Sequence, residues 1–320
     1  MALRIFVRTL PYVAMRALAF LAFGAASIVF VALVLGVGLL MASLVGGGTS
    51  IPFVIIVAVI GGLWGLTRLA QRYVLYLIKI GHVAVVTELV LHGSLPEGTN
   101  QFSYGKDRVV GHFGSATALF AVDQLVAGSA RQIQSWLTST TGCAMRVPGV
   151  GAVVAIAKRI LSMAANYVDE AVMSYILQRG EGDVWQDATD GVVLYAQSWK
   201  RLLTTSALLA GLVSVVWLAG FVLFLLVGLS TYPLYGARLA VEPVAYGFIV
   251  ALPALLLATV FRWLLADPLA TVVMVVAYNR AIADQAPSVD LYAQLRGASS
   301  RFRAMTERAG AGAITRPVGA

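Results

Sequence analysis

The chain is 320 residues long, 59% hydrophobic and only 12% charged, with a net charge of +8. Soluble domains carry about 25% charged residues, so this composition excludes an ordinary soluble protein and indicates an integral membrane protein. The single cysteine, Cys143, excludes an internal disulfide and a multi-cysteine metal site. The basic residues gather at the ends of apolar runs, which favours orientation in a bilayer over binding to nucleic acid.

A basic start over residues 1–16 precedes the first uncharged run, residues 17–45. The apolar part of a cleaved signal has only about 7–15 residues, so this longer run predicts a full membrane span. Residues 46–50 predict a turn because they are rich in glycine, and residues 51–66 predict a second span. The two spans form a predicted hairpin, which defines an N-terminal domain, 1–67.

Gly61 and Gly65 form a Gly-x-x-x-Gly pair in the second predicted span. Glycines at this spacing let another helix approach closely, so both residues are candidates for helix packing. Paired glycines are also common in membrane helices of every kind. The alternative is therefore that these two glycines have no packing role.

The middle of the chain, residues 68–201, is the only long part that can lie in water. It holds 12 of the 23 Lys and Arg residues and 10 of the 15 acids. Polar and apolar residues alternate there at helical spacing, which predicts a domain of amphipathic helices in the cytoplasm or at the membrane interface. The second span is expected to continue into this domain as one long helix, and a polar loop is expected to follow as far as Asp107.

Three further helices are predicted within this domain. The first runs from about Val109 to Trp136, and the second, over residues 153–178, has an apolar stripe opposed by a polar face. Asp183 is expected to cap the third helix. That helix leads into Trp199-Lys200-Arg201, a combination typical of a membrane interface.

Residues 202–229 predict the third span and residues 244–263 the fourth, so a second hairpin occupies the domain 202–283. Apolar residues continue to Ile282, which is too far for one crossing, because a 39-residue helix is about 58 Å long. We therefore expect the helix to kink at Pro268 and leave the bilayer. Residues 284–320 predict a basic tail that is loose at its end.

The fold class predicted is an all-α membrane protein with four transmembrane helices arranged as two hairpins around a helical domain. In this arrangement 22 of the 23 basic residues lie on one side of the membrane, and Arg238 lies on the other. Because basic residues mark the cytoplasmic side, both termini are expected to be cytoplasmic in a multi-pass inner-membrane protein.

Several short strings appear in a defined order: Gly111-His112-Phe113-Gly114-Ser115, Asn166-Tyr167, Trp199-Lys200-Arg201 and Tyr278-Asn279-Arg280. With the hydrophobic runs between them, over about two-thirds of the chain, they resemble the C-terminal half of the choline transporter-like family. The resemblance implies a membrane transport protein in which the helix Phe113–Trp136 crosses the bilayer. Unlike that family, this chain has few spans and carries Asp123 and Arg131 in the matching helix.

Two groups of polar residues could carry chemistry. Glu88 and His92 lie one helical turn apart, as metal ligands can, but a solvated helix face fits them as well. Asp169 and Glu170 are adjacent, so their side chains diverge by about 100° and are expected to be surface charges. No phosphate-binding loop, nucleophile elbow or H-E-x-x-H motif occurs. The sequence therefore predicts no enzyme, no cofactor and no metal.

Asp123, Arg131 and Asp267 are the candidates for a transport pathway. An ionisable residue inside a bilayer costs about 2.5–3.5 kcal/mol and is usually functional. The alternative for Asp123 is a helix along the interface with the acid in water. The alternative for Asp267 is an N-terminal cap for the helix after the Pro268 kink.

Three functions compete at this stage. The first is a channel- or transporter-like homo-oligomer, since four spans rarely enclose a pathway alone. The second is a membrane scaffold or accessory subunit whose cytoplasmic helices bind a partner protein or the lipid surface. The third, a lipid-acting enzyme, has the least support because no acid–base pair is positioned. The expected partners are the bilayer, further copies of the chain and a protein at the cytoplasmic domain.

Overall fold

The computed structural model describes residues 1–45, 65, 73–113, 116–140, 160, 167–179, 183–238 and 240–310. Every regular element in these ranges is a helix, so the chain is all-α, as predicted. The helices are α1 (Ala2–Arg8), α2 (Leu10–Val45), α3 (Tyr73–Leu91), α4 (Gln101–Phe113), α5 (Ala116–Thr140), α6 (Val168–Arg179), α7 (Val184–Gln197), α8 (Trp199–Ser230), α9 (Pro243–Ile282), α10 (Val289–Ala298) and α11 (Ser300–Arg308).

The chain divides into two compact units at positions other than the domain boundaries expected from composition. One unit is Leu10–Ile80, which contains α2 and the beginning of α3. The other combines Met1–Thr9 with Gly81–Ala320. The second unit therefore unites α1, the helical domain and the C-terminal hairpin, and its contacts can be followed in detail.

Four helices are long and apolar enough to cross a membrane, which identifies a membrane protein. They are α2 over Leu10–Phe30, α3, α8 and α9, with mean hydropathies of 2.0, 1.9, 2.7 and 2.3. Half of the apolar stretch of α3 is buried by the rest of the protein, against 11% and 17% for α8 and α9. The predicted second span, residues 51–66, lies outside the described residues except for Gly65.

The hairpin of α8 and α9 presents a band of exposed apolar side chains. The band extends from Leu208 to Leu229 on α8 and from Val244 to Leu265 on α9. Each stretch is about 32 Å long as a helix, close to the roughly 30 Å thickness of a hydrocarbon core. Such a surface is costly in water, so the band marks the part of this hairpin that faces lipid.

Small residues bring α8 and α9 close together. Ala254 and Ala258 are buried, and a Cβ on Gly220 would lie 3.7 Å from the Cα of Ala258. A Cβ on Gly228 would collide with Val250. Gly220 therefore lies at the contact between the two helices.

Helix α9 changes its surroundings without ending. It is continuous for 40 residues through Pro253 and Pro268, yet it is largely exposed as far as Leu265 and largely buried from Ala266 onward. The change supports the expectation that the second half of this helix lies outside the lipid-facing band. Its second half forms a core with α6, α7 and the beginning of α8: Tyr167, Ala171, Tyr175, Leu194, Leu202, Leu209, Ala270, Met274, Tyr278, Ala281 and Ile282.

One local prediction for the middle of the chain is wrong in part. The expected loop as far as Asp107 ends earlier, because α4 already begins at Gln101. In α6, Val168, Glu170 and every residue from Ala171 to Leu177 are buried, because α5, α7 and α9 pack around this helix. Asp169, on the predicted polar face, is partly exposed. The earlier part of this predicted helix lies outside the described residues except for Ile160 and Tyr167.

The C-terminal helices α10 and α11 pack on α5 and α7 rather than forming a loose tail. Ser288 and Ser299 cap their N-termini by accepting hydrogen bonds from backbone N–H groups. Gln132 of α5 holds the junction, because its Oε1 accepts from the Ser299 hydroxyl at 2.6 Å. The part of the tail predicted to be loose, after Gly310, lies outside the described residues.

Candidate functional site

Asp123 lies inside the helical domain. It is only 6% exposed, whereas Arg131, two turns further along α5, is exposed. The expectation that Asp123 faces water is wrong, because its side chain is buried. Helices α6, α7 and α11 all pack on α5. Helix α5 is not among the described helices apolar enough to span a membrane. The structure therefore does not bring Asp123 and Arg131 together at a common site.

Asp267 lies within α9 and does not cap a helix, so that expectation is also wrong. Its Oδ1 accepts a hydrogen bond from the Tyr167 hydroxyl at 3.2 Å, and its carbonyl oxygen accepts one from Thr271 Oγ1 at 3.2 Å. The residue sits where the exposed part of α9 meets the buried part. Asp267 thus links α9 to the residue just before α6 at the edge of the apolar band.

Only Gly65 of the glycine pair is among the described residues. Gly61 lies outside the described residues. No atom of the described residues lies within 4 Å of the position that a Cβ on Gly65 would occupy. A role for these glycines in helix association stays a prediction.

Glu88 is held by two neighbours in the helical domain. Its carboxylate lies 3.0 Å from Nδ1 of His92, and its other oxygen accepts a hydrogen bond from the Tyr104 hydroxyl at 2.6 Å. Burial and the neighbouring Glu88 carboxylate raise the pKa of Tyr104. In the described ranges, no three His, Cys, Asp or Glu side chains are grouped as metal ligands. The contacts tie α3 to α4.

Glu170 was expected to be a surface charge, and this expectation is wrong. The residue is 1% exposed, because α6 is enclosed by its neighbours. Burial raises the pKa of Tyr195, and the negative charges of Glu170 and Asp169 add to that effect. The Glu170 carboxylate of α6 therefore lies close enough to Tyr195 of α7 to affect its pKa.

A network of buried hydrogen bonds lies where α6, α7 and α9 cross. Nδ2 of Asn279 donates to the Ser174 hydroxyl oxygen at 3.0 Å and to the Val275 carbonyl at 2.8 Å. The buried Tyr278 hydroxyl donates to the carbonyl oxygen of Gly191 at 2.9 Å. Hydrogen bonds between buried polar groups require defined geometry, so they fix how the three helices are aligned.

Two acids of α7 extend this network toward the surface. Nε of Arg179 lies 3.6 Å from Oδ1 of Asp187, and the Arg179 guanidinium also lies over the ring of Tyr175 at 5.4 Å. Burial raises the pKa of Asp187, although the Arg179 charge opposes this. Burial raises the pKa of Asp190 to about 6, and the neighbouring Asp187 adds to the increase. The domain therefore holds a carboxyl group that titrates near neutral pH.

We name Glu170, Ser174, Arg179, Asp187, Asp190, Tyr278 and Asn279 the α6–α7–α9 cluster. It joins helices rather than presenting a nucleophile and a base to a substrate. Sequence reasoning missed it, although Tyr278, Asn279 and Arg280 interrupt an apolar run that begins at Val272 and ends at Ile282. Polar residues in an apolar run indicate hydrogen-bond partners elsewhere in the protein, because a buried polar group without a partner is costly.

Comparison of this chain with known protein families, with curated proteins and with solved structures finds no match. The fold and the cluster are therefore interpreted from their own geometry.

Proposed function

We propose that this protein is a membrane-anchored scaffold or accessory subunit whose helical domain binds a partner at the cytoplasmic surface. The observation that carries the proposal is the division of the described chain into two kinds of surface. The α8–α9 hairpin faces lipid with leucine, valine and aromatic side chains. The polar groups are concentrated in a packed domain outside the apolar band, where the contacts described above join helix to helix.

The position of α5 favours this function over transport. A transport role for Asp123 required its helix to cross the bilayer. Instead, α5 contacts the short, strongly charged α11, in which Arg301 packs over Gly128 and donates to the Gln124 carbonyl at 3.4 Å. A helix covered in this way by charged neighbours belongs in water rather than in lipid.

The N-terminus supports a common side for the termini and the helical domain. Nη1 of Arg8 donates to the Gly93 carbonyl at 2.7 Å, and Nε2 of Gln101 donates to the Arg8 carbonyl at 2.9 Å. The chain between Leu10 and Leu91 must then cross the membrane an even number of times. Together with the positive charge of this side, this supports cytoplasmic termini in an inner membrane.

A channel- or transporter-like homo-oligomer, as the choline transporter-like resemblance implies, is the competing function. It needs polar side chains on the outer faces of the spans, where copies would line a pathway. Within the apolar band, the large exposed side chains of α8 are all apolar: Leu208, Leu212, Val215, Leu218, Val222, Leu223, Leu226, Val227 and Leu229. A surface of this kind suits lipid or apolar packing, so we propose no pathway along α8, and no catalytic role for the chain.

The two functions are distinguished by flux and stoichiometry. The purified chain is reconstituted into vesicles, and the flux of potassium, chloride and a small amine is compared with that of empty vesicles. Light scattering measures the molar mass of the same preparation in detergent. We expect no flux above that of empty vesicles. When the chain is isolated from native membranes, we expect either a monomer or a complex with a different protein. Flux carried by a closed ring of identical copies would overturn the scaffold proposal.

A further inference from the structure

Arg262 lies inside the lipid-facing part of α9 rather than beyond it. Trp263 and Leu265, which follow it toward the helical domain, are 41% and 42% exposed. Leu265 is only three residues away, about 4.5 Å along the helix axis, so Arg262 is near the cytoplasmic edge of the apolar band. A cation at this depth needs an anionic or polar partner.

The described residues do not supply a hydrogen-bond acceptor for the buried Nε of Arg262. Its neighbours one turn away on the same face, Ala258 and Ala266, are small, buried and apolar. Asp267 follows five residues later, which places it about 140° around the helix, and its carboxylate accepts from Tyr167. Since Nε itself is covered, an acceptor from outside these residues would meet the terminal nitrogens of the guanidinium.

We propose that Arg262 binds the phosphate of a phospholipid headgroup in the cytoplasmic leaflet. Arginine carries five N–H donors in a planar fork that matches a phosphate oxygen pair, and long basic side chains at this depth extend toward the interface. Trp263 adds the amphipathic ring that membrane proteins place at headgroup level. The site depends on the membrane position of α9 and is independent of the scaffold function.

The site is specific for the phosphate and not for the acyl chains. Phosphatidylglycerol offers a phosphate with a net negative charge, and phosphatidylcholine offers the same phosphate beside a cation. Diacylglycerol offers the chains alone, whereas inorganic phosphate offers the anion alone. Because the guanidinium lies at the edge of the apolar band, only a lipid brings the anion and a compatible apolar surface together.

The test measures the dissociation constant of the first bound lipid by native mass spectrometry of the full chain in neutral detergent. We expect phosphatidylglycerol to bind most tightly, phosphatidylcholine more weakly, and diacylglycerol and inorganic phosphate least. Arg262→Gln is expected to weaken phosphatidylglycerol binding about fivefold to tenfold, whereas Arg262→Lys retains part of the affinity because it keeps the charge without the planar fork. Arg296→Gln is the control, because it removes the same charge from an exposed position on α10, in the helical domain and outside the apolar band.

Three results would overturn the proposal. One is unchanged phosphatidylglycerol affinity in folded Arg262→Gln protein; another is an equal loss in Arg296→Gln. The third concerns the wild type. It is tighter binding of diacylglycerol than of phosphatidylglycerol, or displacement of phosphatidylglycerol by inorganic phosphate at equal concentration. If Arg262→Gln does not fold, Arg262→Lys and the lipid series on the wild type decide the question. A phosphatidylglycerol affinity equal to the diacylglycerol affinity would exclude a phosphate site.

Discussion

Asp190 is a partly buried acid whose pKa is raised from 3.8 to about 6, because burial disfavours the carboxylate more than Arg179 stabilises it. An acid with a raised pKa is more readily protonated in the folded protein than in the unfolded chain. Its favourable contribution to stability is therefore complete below about pH 3.8 and is lost as the pH rises through about 6. Asp187, whose pKa is also raised, changes stability in the same direction.

Asp190→Asn is expected to stabilise the folded protein above pH 6, because the amide is neutral at every pH and needs no ionisation inside the domain. The thermal midpoint of the wild type, measured in detergent between about pH 5 and pH 7.5, is expected to fall more steeply with rising pH than that of the variant. Asp284→Asn, which changes an exposed acid, is the control. Equal slopes for the wild type and Asp190→Asn would show that Asp190 does not titrate in this range.

His112 contributes in the opposite direction. Burial lowers its pKa, so the folded protein favours the neutral imidazole and loses stability as the pH falls. Because His112 is present in both proteins, its effect cancels when the wild type and Asp190→Asn are compared at each pH. The difference between the two curves therefore isolates the carboxyl group of α7.

The crossing of α6, α7 and α9 depends on the absence of a side chain at Gly191. A Cβ at this position would lie 2.9 Å from Cγ1 of Val172 and 3.3 Å from Cδ1 of Tyr175. Gly191→Ala is therefore expected to separate α6 from α7 and to cost about 1–3 kcal/mol of unfolding free energy through overpacking. The better helix propensity of alanine offsets at most about 1 kcal/mol of this loss. Denaturant or thermal unfolding in detergent measures the net loss.

Gly297→Ala in α10 is the matched control for this element. No described atom lies within 4 Å of the position of its Cβ, so only the gain in helix propensity remains, up to about 1 kcal/mol. The two glycine replacements are thus expected to change stability in opposite directions. A Gly191→Ala protein that is as stable as Gly297→Ala would mean that α6 and α7 are not packed closely at this point.

Elements specified by local sequence could be predicted, whereas those specified by packing could not. Asp183 was expected to cap α7, and its carboxylate accepts from the backbone N–H of Trp185 at 3.0 Å. The third span and the end of the last apolar run at Ile282 also follow from composition, and α8 and α9 confirm them. Hydropathy determines these features because it acts within a single stretch of chain.

The burial of Glu170 and Asp123 could not be predicted, because it depends on neighbours far away in sequence. Their own helices have polar residues at spacings that fit a wet face. Helix α9 docks on α6, and α11 docks on α5, from distant parts of the chain. Asp267 was misassigned for the same reason, since its partner Tyr167 is 100 residues away.

At the scale of the whole molecule, the N-terminal helix and the helical domain belong to one compact unit. Ile5 of α1 is buried, and α1 packs on α9 near the end that leaves the apolar band. The loop between α8 and α9 lies at the other end of that band. If α8 and α9 both cross the membrane, this loop and the domain must face opposite sides.

Single cysteines test this arrangement in a Cys143→Ser background. Arg4→Cys, Lys106→Cys and Arg238→Cys replace exposed residues of α1, α4 and the α8–α9 loop, respectively. With a membrane-impermeant maleimide, we expect position 238 to react in intact cells, and positions 4 and 106 to react only after permeabilisation, because basic residues are retained in the cytoplasm. Labelling of positions 4 and 106 from opposite sides would contradict the packing of α1 on the domain. Labelling of positions 106 and 238 from the same side would show that α8 does not cross the bilayer.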